Sequence, residues 1–173
     1  MSPSAELSVA VSLVDVGEDV LEHLLSVAIQ DADADEVTPP LGSAAGWNSE
    51  RISWFREYHH AASGLDGPAR QKSWAISYDG KLAGSIRLRR TGPGTLETGI
   101  WLARGYRCRG IGHEALRQVK AHAAASGATE LEAGTTSGNS AALALLRGAG
   151  AELVFAGVSS DAAVPVKARI PLR

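Results

Sequence analysis

The chain of 173 residues contains very little cysteine, with Cys108 as its one thiol. A single thiol cannot form an intramolecular disulfide, and it excludes a cysteine-rich zinc site. The same scarcity favours a reducing compartment, so we expect a cytoplasmic location. A chain of this length buries about two-thirds of its unfolded surface, and we expect one domain over residues 1–173.

Long apolar runs and an excess of basic residues are also missing. The opening stretch MSPSAELSVAVSLVD has no basic n-region and no apolar segment of membrane-spanning length, so we expect neither a secretion signal nor a membrane partner. Lys and Arg total 17 against 19 Asp and Glu, for a net charge of -2. Without an overall positive field we expect no nucleic-acid partner, and a small or local binding partner instead.

Hydrophobic spacing in the first half of the chain predicts strands and helices. Alternation in AELSVAVSLVD predicts a strand, and VGEDVLEHLLSVAIQ predicts a helix after it. An acidic loop follows, and then NSERISWFREYHHAAS predicts a second helix that starts at Asn48 or Ser49. Turn signals at 79–80 and 92–94 divide residues 72–103 into three antiparallel strands.

The second half predicts a strand, helix, strand crossover. A helix follows RCRG, a strand follows at TELEAGT, and another helix follows at NSAALALLRGAG, before strands in AELVFAGV and VPVKARIPL. Such a crossover normally places its two strands parallel. We therefore predict an α+β fold with a mixed, mainly antiparallel central sheet of six to seven strands, flanked by about four helices.

The stretch RCRGIG, residues 107–112, stands where the first of these later helices opens. Helix N-termini expose unpaired backbone N–H groups and carry partial positive charge, so they bind anions that can approach closely. Gly110 and Gly112 carry no side chain to obstruct that approach, and Arg107 and Arg109 add positive charge. The pattern predicts a site for phosphate or pyrophosphate.

Two other kinds of phosphate loop fit these residues less well. A P-loop needs G-x-x-x-x-G-K-[ST], but Gly105–Gly110 is followed by Ile111 and Gly112. The dinucleotide fingerprint G-x-G-x-x-A does match from Gly110, with Glu132 where a ribose-binding acid belongs. However, no strand runs directly into its first glycine and an antiparallel meander precedes it, so this interpretation is disfavoured.

With its flanks, the stretch resembles the hallmark R/Q-x-x-G-x-G/A of the Gcn5-related N-acetyltransferases, the GNAT family. The strand ETGIWLA before it and the Asn-led helix NSAALALLRGAG after the next strand agree with that family, in particular with the branch of ribosomal-protein N-terminal acetyltransferases and drug-modifying enzymes. The likeness in element order covers nearly the whole chain. It implies one acetyl-CoA-dependent N-acetyltransferase domain with acetyl-CoA as co-substrate and no metal.

The resemblance also implies where acetyl-CoA binds. The end of the strand before the loop should pair with the pantetheine amides, and the loop N–H groups should hold the pyrophosphate. Family members splay that strand from the next one to admit the cofactor. The implied cofactor-binding residues are Trp101, Leu102, Ala103, Arg107, Cys108, Arg109, Gly110, Ile111, Gly112 and Asn139.

An alkyl amine arrives protonated, so acetyl transfer to it requires a base. Glu97 is the first candidate, because it shares a strand face with Trp101 and matches a glutamate of the family; Glu132 is the second. Each is otherwise a structural carboxylate, bonded to an arginine or exposed to solvent. The tyrosine that often serves the family as general acid is replaced by Leu146, which leaves Ser140, water or a backbone donor for the thiolate.

Three histidines are weaker candidates for chemistry. His59 and His60 are adjacent helix positions that face different ways, without further ligands at useful spacing, so we expect solvated or capping roles rather than a metal site. His113 lies in the first turn after the loop, where a surface or cofactor contact is expected rather than catalysis.

The family's acceptor pocket lies between the first two helices and the sheet, next to the acidic stretch QDADADE. Its acidic residues are Asp31, Asp33, Asp35 and Glu36. Such a cluster would attract a cationic amine or a basic peptide N-terminus, although a solvated acidic loop is the alternative. Trp54 and Tyr58 would wall the pocket, unless they form a core stripe.

We therefore predict an enzyme that moves acetyl from acetyl-CoA to a primary amine by direct attack. The expected acceptor is a small cationic amine such as an aminoglycoside-like antibiotic, with antibiotic resistance as the associated role. The alternatives are a protein N-terminal acetyltransferase and a non-catalytic acyl-CoA binding or sensing module, for which the missing tyrosine is the one indication. Dimers are common in the family, so the resemblance also admits a homodimer.

Overall fold

Strands form one sheet in the described part of the chain, residues 10–157 and 163–172 of a computed structural model. They are β1 (Val11–Asp15), β2 (Ser63–Gly64), β3 (Gln71–Tyr78), β4 (Lys81–Gly92), β5 (Thr95–Leu102), β6 (Glu130–Thr136), β7 (Glu152–Phe155) and β8 (Pro165–Pro171). The order is β1-β3-β4-β5-β6-β8-β7, with the short β2 also beside β3. Among the described pairs only β5 and β6 run parallel, which confirms the predicted mixed, mainly antiparallel sheet.

Helices cover both faces of this sheet. They are α1 (Glu18–Asp31), α2 (Ala34–Val37), α3 (Ser49–Ala61), α4 (Ile111–Ala125) and α5 (Ser140–Gly148), with a 3-10 turn at Arg104–Tyr106. The four longer ones agree with the prediction, whereas α2 is a single turn inside the stretch expected to be a loop. No helix in residues 10–157 or 163–172 is both long and apolar enough to cross a membrane.

Two asparagines begin helices as N-caps. The side-chain oxygen of Asn48 accepts a hydrogen bond from the backbone N–H of Arg51 at 2.9 Å, and that of Asn139 accepts one from Ala142 at 3.1 Å. Each bond satisfies one of the donors that a helix start leaves unpaired. The caps fix where α3 and α5 begin, and therefore which side chains of α3 face the sheet.

The apolar core has one layer on each face of the sheet. On one face α4 packs against the central strands, with Ile111, Leu96 and Leu131 fully buried. On the other face α1 and α3 pack through a smaller cluster of Leu21, Leu24, Leu25, Ala28, Phe55 and Ala75. The predicted stripe of α1 is buried as expected, apart from the half-buried Val20. This second face carries the cavity described below.

Strands β4 and β5 approach each other unusually closely at Gly84. A Cβ atom on this residue would lie 2.1 Å from the carbonyl oxygen of Trp101 and 2.9 Å from the Cα of Leu102. The pairing of β3 with β4 shifts register at the same place, where Ala83 has no partner in β3. Glycine is therefore required here, because the facing atoms belong to backbone that cannot rotate aside.

Strands β5 and β6 separate partway along their length. They pair only as Thr95 with Glu130, Leu96 with Leu131 and Glu97 with Glu132. Beyond this point β5 continues to Leu102 beside β4, and β6 continues to Thr136 beside β8. The sheet thus opens into a wedge whose apex lies at Glu97 and Glu132, as the resemblance implied.

Candidate active site

The wedge leads to the turn that opens α4. Gly110, the N-cap of α4, has a φ of 81°, and Cys108 has a φ of 60°; both are left-handed. No side chain of the described residues hydrogen-bonds the start of the helix as a cap. The first N–H groups of α4 are therefore suited to an anion, and the strain that a side chain meets in this conformation explains glycine at position 110.

Gly112 serves a different purpose from the one expected. A Cβ atom here would meet the side chains of Leu102 and Leu145 at 3.6 and 3.7 Å, ordinary contact distances inside the fold. The missing side chain thus does not clear the approach of an anion. Alanine would fit at these distances, so the packing of α4 does not by itself require glycine at position 112.

The arginines of this turn have different partners. Arg107 donates from Nε to the backbone oxygen of Leu102 at 3.0 Å and also pairs with a carboxylate of the acidic stretch. Arg109 lies over the ring of Tyr106, 5.6 Å from its centroid. Cys108 is exposed. The side chain of Arg107 is therefore folded onto the end of β5, at the mouth of the wedge.

The acidic stretch makes hydrogen bonds and ion pairs with the rest of the chain. The contacts join Asp31 to the N–H of Gly105, Asp33 to Arg104, Asp35 to Arg51, and Glu36 to Arg107. Arginines pair with three of these carboxylates and a backbone N–H donates to the fourth, so the contacts weaken the attraction that the cluster was expected to exert on a cationic acceptor. Three of the contacts hold the α1–α2 segment against the turn that precedes α4.

A cavity of about 570 Å³ lies between α3, the α2 segment and the face of β3, β4 and β5. Three of the predicted acceptor residues line this cavity, namely Glu36, Trp54 and Tyr58. The predicted cofactor residue Trp101 lines it as well. The other predicted acceptor residues, Asp31, Asp33 and Asp35, do not. Its other polar wall residues are His59, Gln71, Ser85, Arg87 and Arg89. An amine in this cavity would reach the sheet close to the wedge.

Aromatic side chains of α3 form one wall. Trp54 and Tyr58 stack with ring centroids 5.0 Å apart and planes 12° apart, as residues one helical turn apart can. The hydroxyl oxygen of Tyr58 is buried without a hydrogen-bond partner. Burial raises the pKa of Tyr58 above its usual value, so the phenol stays neutral and able to donate at physiological pH.

Glu97 lies between two arginines of the neighbouring strand. Its Oε1 accepts hydrogen bonds from Arg87 and Arg89, each at 3.0 Å, and no described residue donates to Oε2. Burial raises the pKa of Glu97, but the hydrogen bond from Arg89 and the charge of Arg87 outweigh it, so the pKa lies below its ordinary value. The carboxylate is therefore ionised at neutral pH.

Glu97 contacts the cavity wall through Arg87 and Arg89, and none of the three predicted catalytic residues is among the described residues that line the cavity. Glu132, on the other side of the wedge apex, has its carboxylate 3.3 Å from Nζ of Lys167. Ser140 is the exposed first residue of α5, next to the exposed cap Asn139. Leu146 is buried in the core against α4, so the position that carries a tyrosine in the resembling family is a packing position in this chain.

Sequence reasoning missed the arginines of this wall and misjudged one histidine. The alternation of Ser85, Arg87 and Arg89 in SIRLRR was the available signal, since these residues share the face on which Glu97 lies. His59 is buried, where its Nδ1 lies 2.8 Å from the hydroxyl of Ser73, so the expectation of a solvated role is wrong. Only His60 of the pair is exposed.

His59 should make the stability of the fold depend on pH. Burial, and secondarily the charge of His60, lowers its pKa from 6.5 to about 4 in the folded chain. Below pH 6.5 the unfolded chain binds a proton that the folded chain does not, so stability is complete above that pH and falls as pH drops towards 4. We expect about 3 kcal/mol to be lost across this window, measured by urea unfolding.

The control for this prediction is the neighbouring histidine. In a His59→Gln variant the free energy of unfolding should change much less between pH 6.5 and 4. In His60→Gln the pH dependence should remain, because His60 is exposed. An equal slope in His59→Gln and the parent chain would assign the dependence to other groups.

Comparison with known proteins agrees with this geometry. The sequence model of the acetyltransferase (GNAT) family matches residues 29–151, which include the divided part of the sheet and the start of α4. The chain belongs to the GNAT family of acetyl-CoA-dependent N-acetyltransferases. The resemblance drawn from RCRGIG and its flanks is thus confirmed. No curated protein sequence is significantly similar to the chain.

Solved structures share the fold at low sequence identity. The Salmonella typhimurium acetyltransferase that modifies the N-terminal serine of ribosomal protein L7/L12 superposes with a TM-score of 0.74 at 15% identity, over 96% of this chain and 98% of that one. Mycobacterium smegmatis RimJ, in complex with CoA-disulfide, superposes with a TM-score of 0.72 at 19% sequence identity, over 93% of this chain and 81% of that one. Salmonella typhimurium yncA, a putative acetyltransferase with acetyl-CoA, superposes with a TM-score of 0.62 at 15% sequence identity, over 95% of each chain.

Proposed function

We propose that this chain acetylates a primary amine held in the cavity beside Trp54 and Tyr58, with the acetyl group presented through the wedge between β5 and β6. The observation that carries the proposal is the position of Glu97, which lies at the wedge apex and beside the cavity wall at once. The reaction class follows from membership of the GNAT family. The position of Glu97 indicates where an acceptor in the cavity would meet the thioester.

The chain offers a binding surface for the co-substrate. The edge of β5 over Trp101–Ala103 faces the opening where β6 has turned away, which suits pairing with the pantetheine amides. The uncapped turn over Arg107–Gly112 suits the pyrophosphate. Arg107 would exchange its bond to Glu36 for a phosphate, while its Nε stays on Leu102. Asn139 and Ser140 would lie at the far side of the opening.

Acid–base roles follow from the same positions. Oε2 of Glu97 would hold the ammonium and take one proton from it, so that the neutral nitrogen can attack the thioester carbonyl, with Glu132 as the second candidate. The new C–N bond forms and the C–S bond breaks. The second proton of the nitrogen then passes, through water or the hydroxyl of Ser140, to the leaving thiolate. The two arginines limit the basicity of Glu97, so the environment of this carboxylate controls the rate of proton removal.

The acceptor is a small amine or a peptide N-terminus. The likeness to the enzyme that modifies a ribosomal N-terminal serine favours a peptide as the second candidate. A polycation such as an aminoglycoside loses its main support, because the acidic stretch is paired within the chain. The exposed thiol of Cys108 suits a reducing cytoplasm, where we place the enzyme.

The test replaces the proposed base. Glu97→Gln should lower kcat about 100- to 10,000-fold, the usual contribution of general base catalysis, and should change the Kd of acetyl-CoA little. Thiol release with amino acids, polyamines, aminoglycosides and short peptides gives the rate, and calorimetry gives the Kd. Glu152→Gln, at an exposed position on β7, is the matched control.

Each outcome of this test has a definite meaning. If Glu97→Gln turns over the acceptor at an unchanged rate, Glu97 is not the general base, and Glu132 becomes the candidate. Acetyl-CoA binding without any acceptor would favour the non-catalytic binding module.

A further inference from the structure

We propose that the acceptor is a small amine that also carries a carboxylate, as an amino acid does, and that Arg87 and Arg89 bind this carboxylate at the cavity wall. The proposal rests on the proposed function, since it specifies the acceptor of the same cavity. It follows from the charges and the geometry of that wall, and from an unpaired donor on α3 that borders the same cavity.

The wall carries more positive than negative charge. Arg87 and Arg89 share one carboxylate, that of Glu97. Glu36 is the acidic side chain among the described residues that line the cavity, and it pairs with Arg107. The excess of one guanidinium charge disfavours a polycation and favours a group of negative charge.

The two guanidinium groups keep donors available. Each makes one hydrogen bond to Oε1 of Glu97 and none to any other described residue. The side chains are 32% exposed at Arg87 and 47% exposed at Arg89, so solvent and ligand reach them. A guanidinium has five N–H donors in a planar fork that matches a carboxylate in two-point contact.

Gly99 positions Arg87 for this contact. The two residues face each other across β4 and β5, and a Cβ atom on Gly99 would lie 3.0 to 3.2 Å from three guanidinium atoms of Arg87. The guanidinium therefore lies flat over the glycine, against the sheet. This packing fixes the Arg87 guanidinium at the wall before a ligand arrives, which lowers the entropy cost of binding.

Tyr58, on α3, supplies an unpaired donor to the same cavity. Its buried hydroxyl has no hydrogen-bond partner among the described residues. Tyr58 lines the same cavity as Arg87 and Arg89, and after the larger effect of burial the charges of these arginines act on the pKa of Tyr58. A buried hydroxyl without a partner costs stability that a bound carboxylate oxygen would recover.

An α-amino acid carries its ammonium and its carboxylate on the same carbon. Across the wall, Oε2 of Glu97 is open to an ammonium, and the arginines that hold Oε1 are open to a carboxylate. The two charges of the acceptor thus match two adjacent charges of opposite sign. A cavity of about 570 Å³ holds a molecule of this size with its side chain beside Trp54.

The experiment compares acceptors that differ in the carboxylate. Leucine, leucinamide and isopentylamine are assayed by thiol release at one acetyl-CoA concentration, first with the parent chain and then with Arg89→Gln. We expect the parent chain to prefer leucine at least 10-fold in kcat/KM. Arg89→Gln should lower the ratio of kcat/KM for leucine to kcat/KM for isopentylamine about 10- to 100-fold, the loss expected for charge-assisted hydrogen bonds, because a change in the basicity of Glu97 acts on both amines alike.

Matched variants separate charge from structure. Arg89→Lys keeps the charge and should recover part of the activity on leucine. Arg90→Gln, at the next position, removes an arginine that pairs with Asp66 and Leu65 away from the cavity, and should leave the leucine preference intact. The Kd of acetyl-CoA should be the same in all three variants.

Three outcomes would overturn the proposal. If isopentylamine is acetylated as fast as leucine, or if Arg89→Gln lowers kcat/KM for both amines equally, the proposed contact with the carboxylate is wrong. The proposed acetyl transfer would not be affected by either result. Better turnover of an aminoglycoside or of a peptide N-terminus would replace the acceptor class. Acetyl-CoA binding with no amine turned over would overturn the proposed function together with this one.

Discussion

Replacing Gly84 with alanine is expected to destabilise the fold by about 3 kcal/mol and to weaken acetyl-CoA binding. The new Cβ atom would lie 2.1 Å from the carbonyl oxygen of Trp101, and overpacking of this kind costs roughly 1 to 3 kcal/mol or more. Because the facing atoms are backbone, relief requires β4 and β5 to move apart. That movement displaces the segment proposed to pair with pantetheine. Urea unfolding and calorimetry measure the two effects.

The same strand provides a control for this prediction. Gly92 has no atom within 4 Å of the position where its Cβ would lie, so Gly92→Ala should change stability by no more than about 0.5 kcal/mol. Its acetyl-CoA affinity should equal that of the parent chain. A Gly84→Ala variant as stable as Gly92→Ala would contradict the close approach of the two strands.

Replacing Phe55 with alanine should have the second large effect. Phe55 is 1% exposed in the small cluster that joins α1 and α3 to the sheet, with ring contacts to Trp47 and His59. Removing a buried phenylalanine costs about 3 to 5 kcal/mol. Since α3 carries the aromatic cavity wall, KM for the acceptor should rise more than the Kd of acetyl-CoA does.

The second phenylalanine of the chain is a natural control. Phe155 lies on β7 and is 43% exposed, so Phe155→Ala should alter stability by less than about 0.5 kcal/mol. Both variants lose the same side chain, and any difference between them reports burial. Equal losses at the two positions would show that the α1–α3 cluster contributes little to the cavity.

Local signals in the sequence predicted most of the fold. The turn at Asp79 and Gly80 has left-handed backbone at both residues, as the Asp-Gly signal requires. Asn48 caps its helix in the predicted place, and β5, α4 and β6 form the predicted parallel crossover. These features depend on residues close together in the chain, so spacing and turn chemistry suffice to find them.

Contacts between distant residues account for what the sequence did not predict. Asp33 and Arg104 are separated by 71 positions, and nothing in the acidic stretch indicates that it docks on the turn before α4. The two-residue β2 exists only because β3 lies beside it. Both features are set by tertiary packing, which local propensity does not encode.

The candidate site was predicted in part for the same reason. Glu97 stood out by its position on the strand before the loop, whereas its arginine partners depend on the register of β4 against β5. A shift of one residue would turn these arginines to the opposite face of the sheet. The spacing of residues in the sequence therefore could not predict the positive charge of the cavity wall. It favoured the acidic stretch as the acceptor-binding feature instead.

The wedge between β5 and β6 presents main-chain N–H and C=O groups, which every amino acid possesses. An enzyme that holds its co-substrate by such groups can exchange most side chains along these strands during evolution, provided that the strands diverge at the same register. Two solved structures that share the fold at 15% identity contain coenzyme A or acetyl-CoA. If the wedge binds the acyl donor as we propose, selection can reshape the proposed acceptor wall, Arg87 and Arg89 included, without rebuilding the wedge.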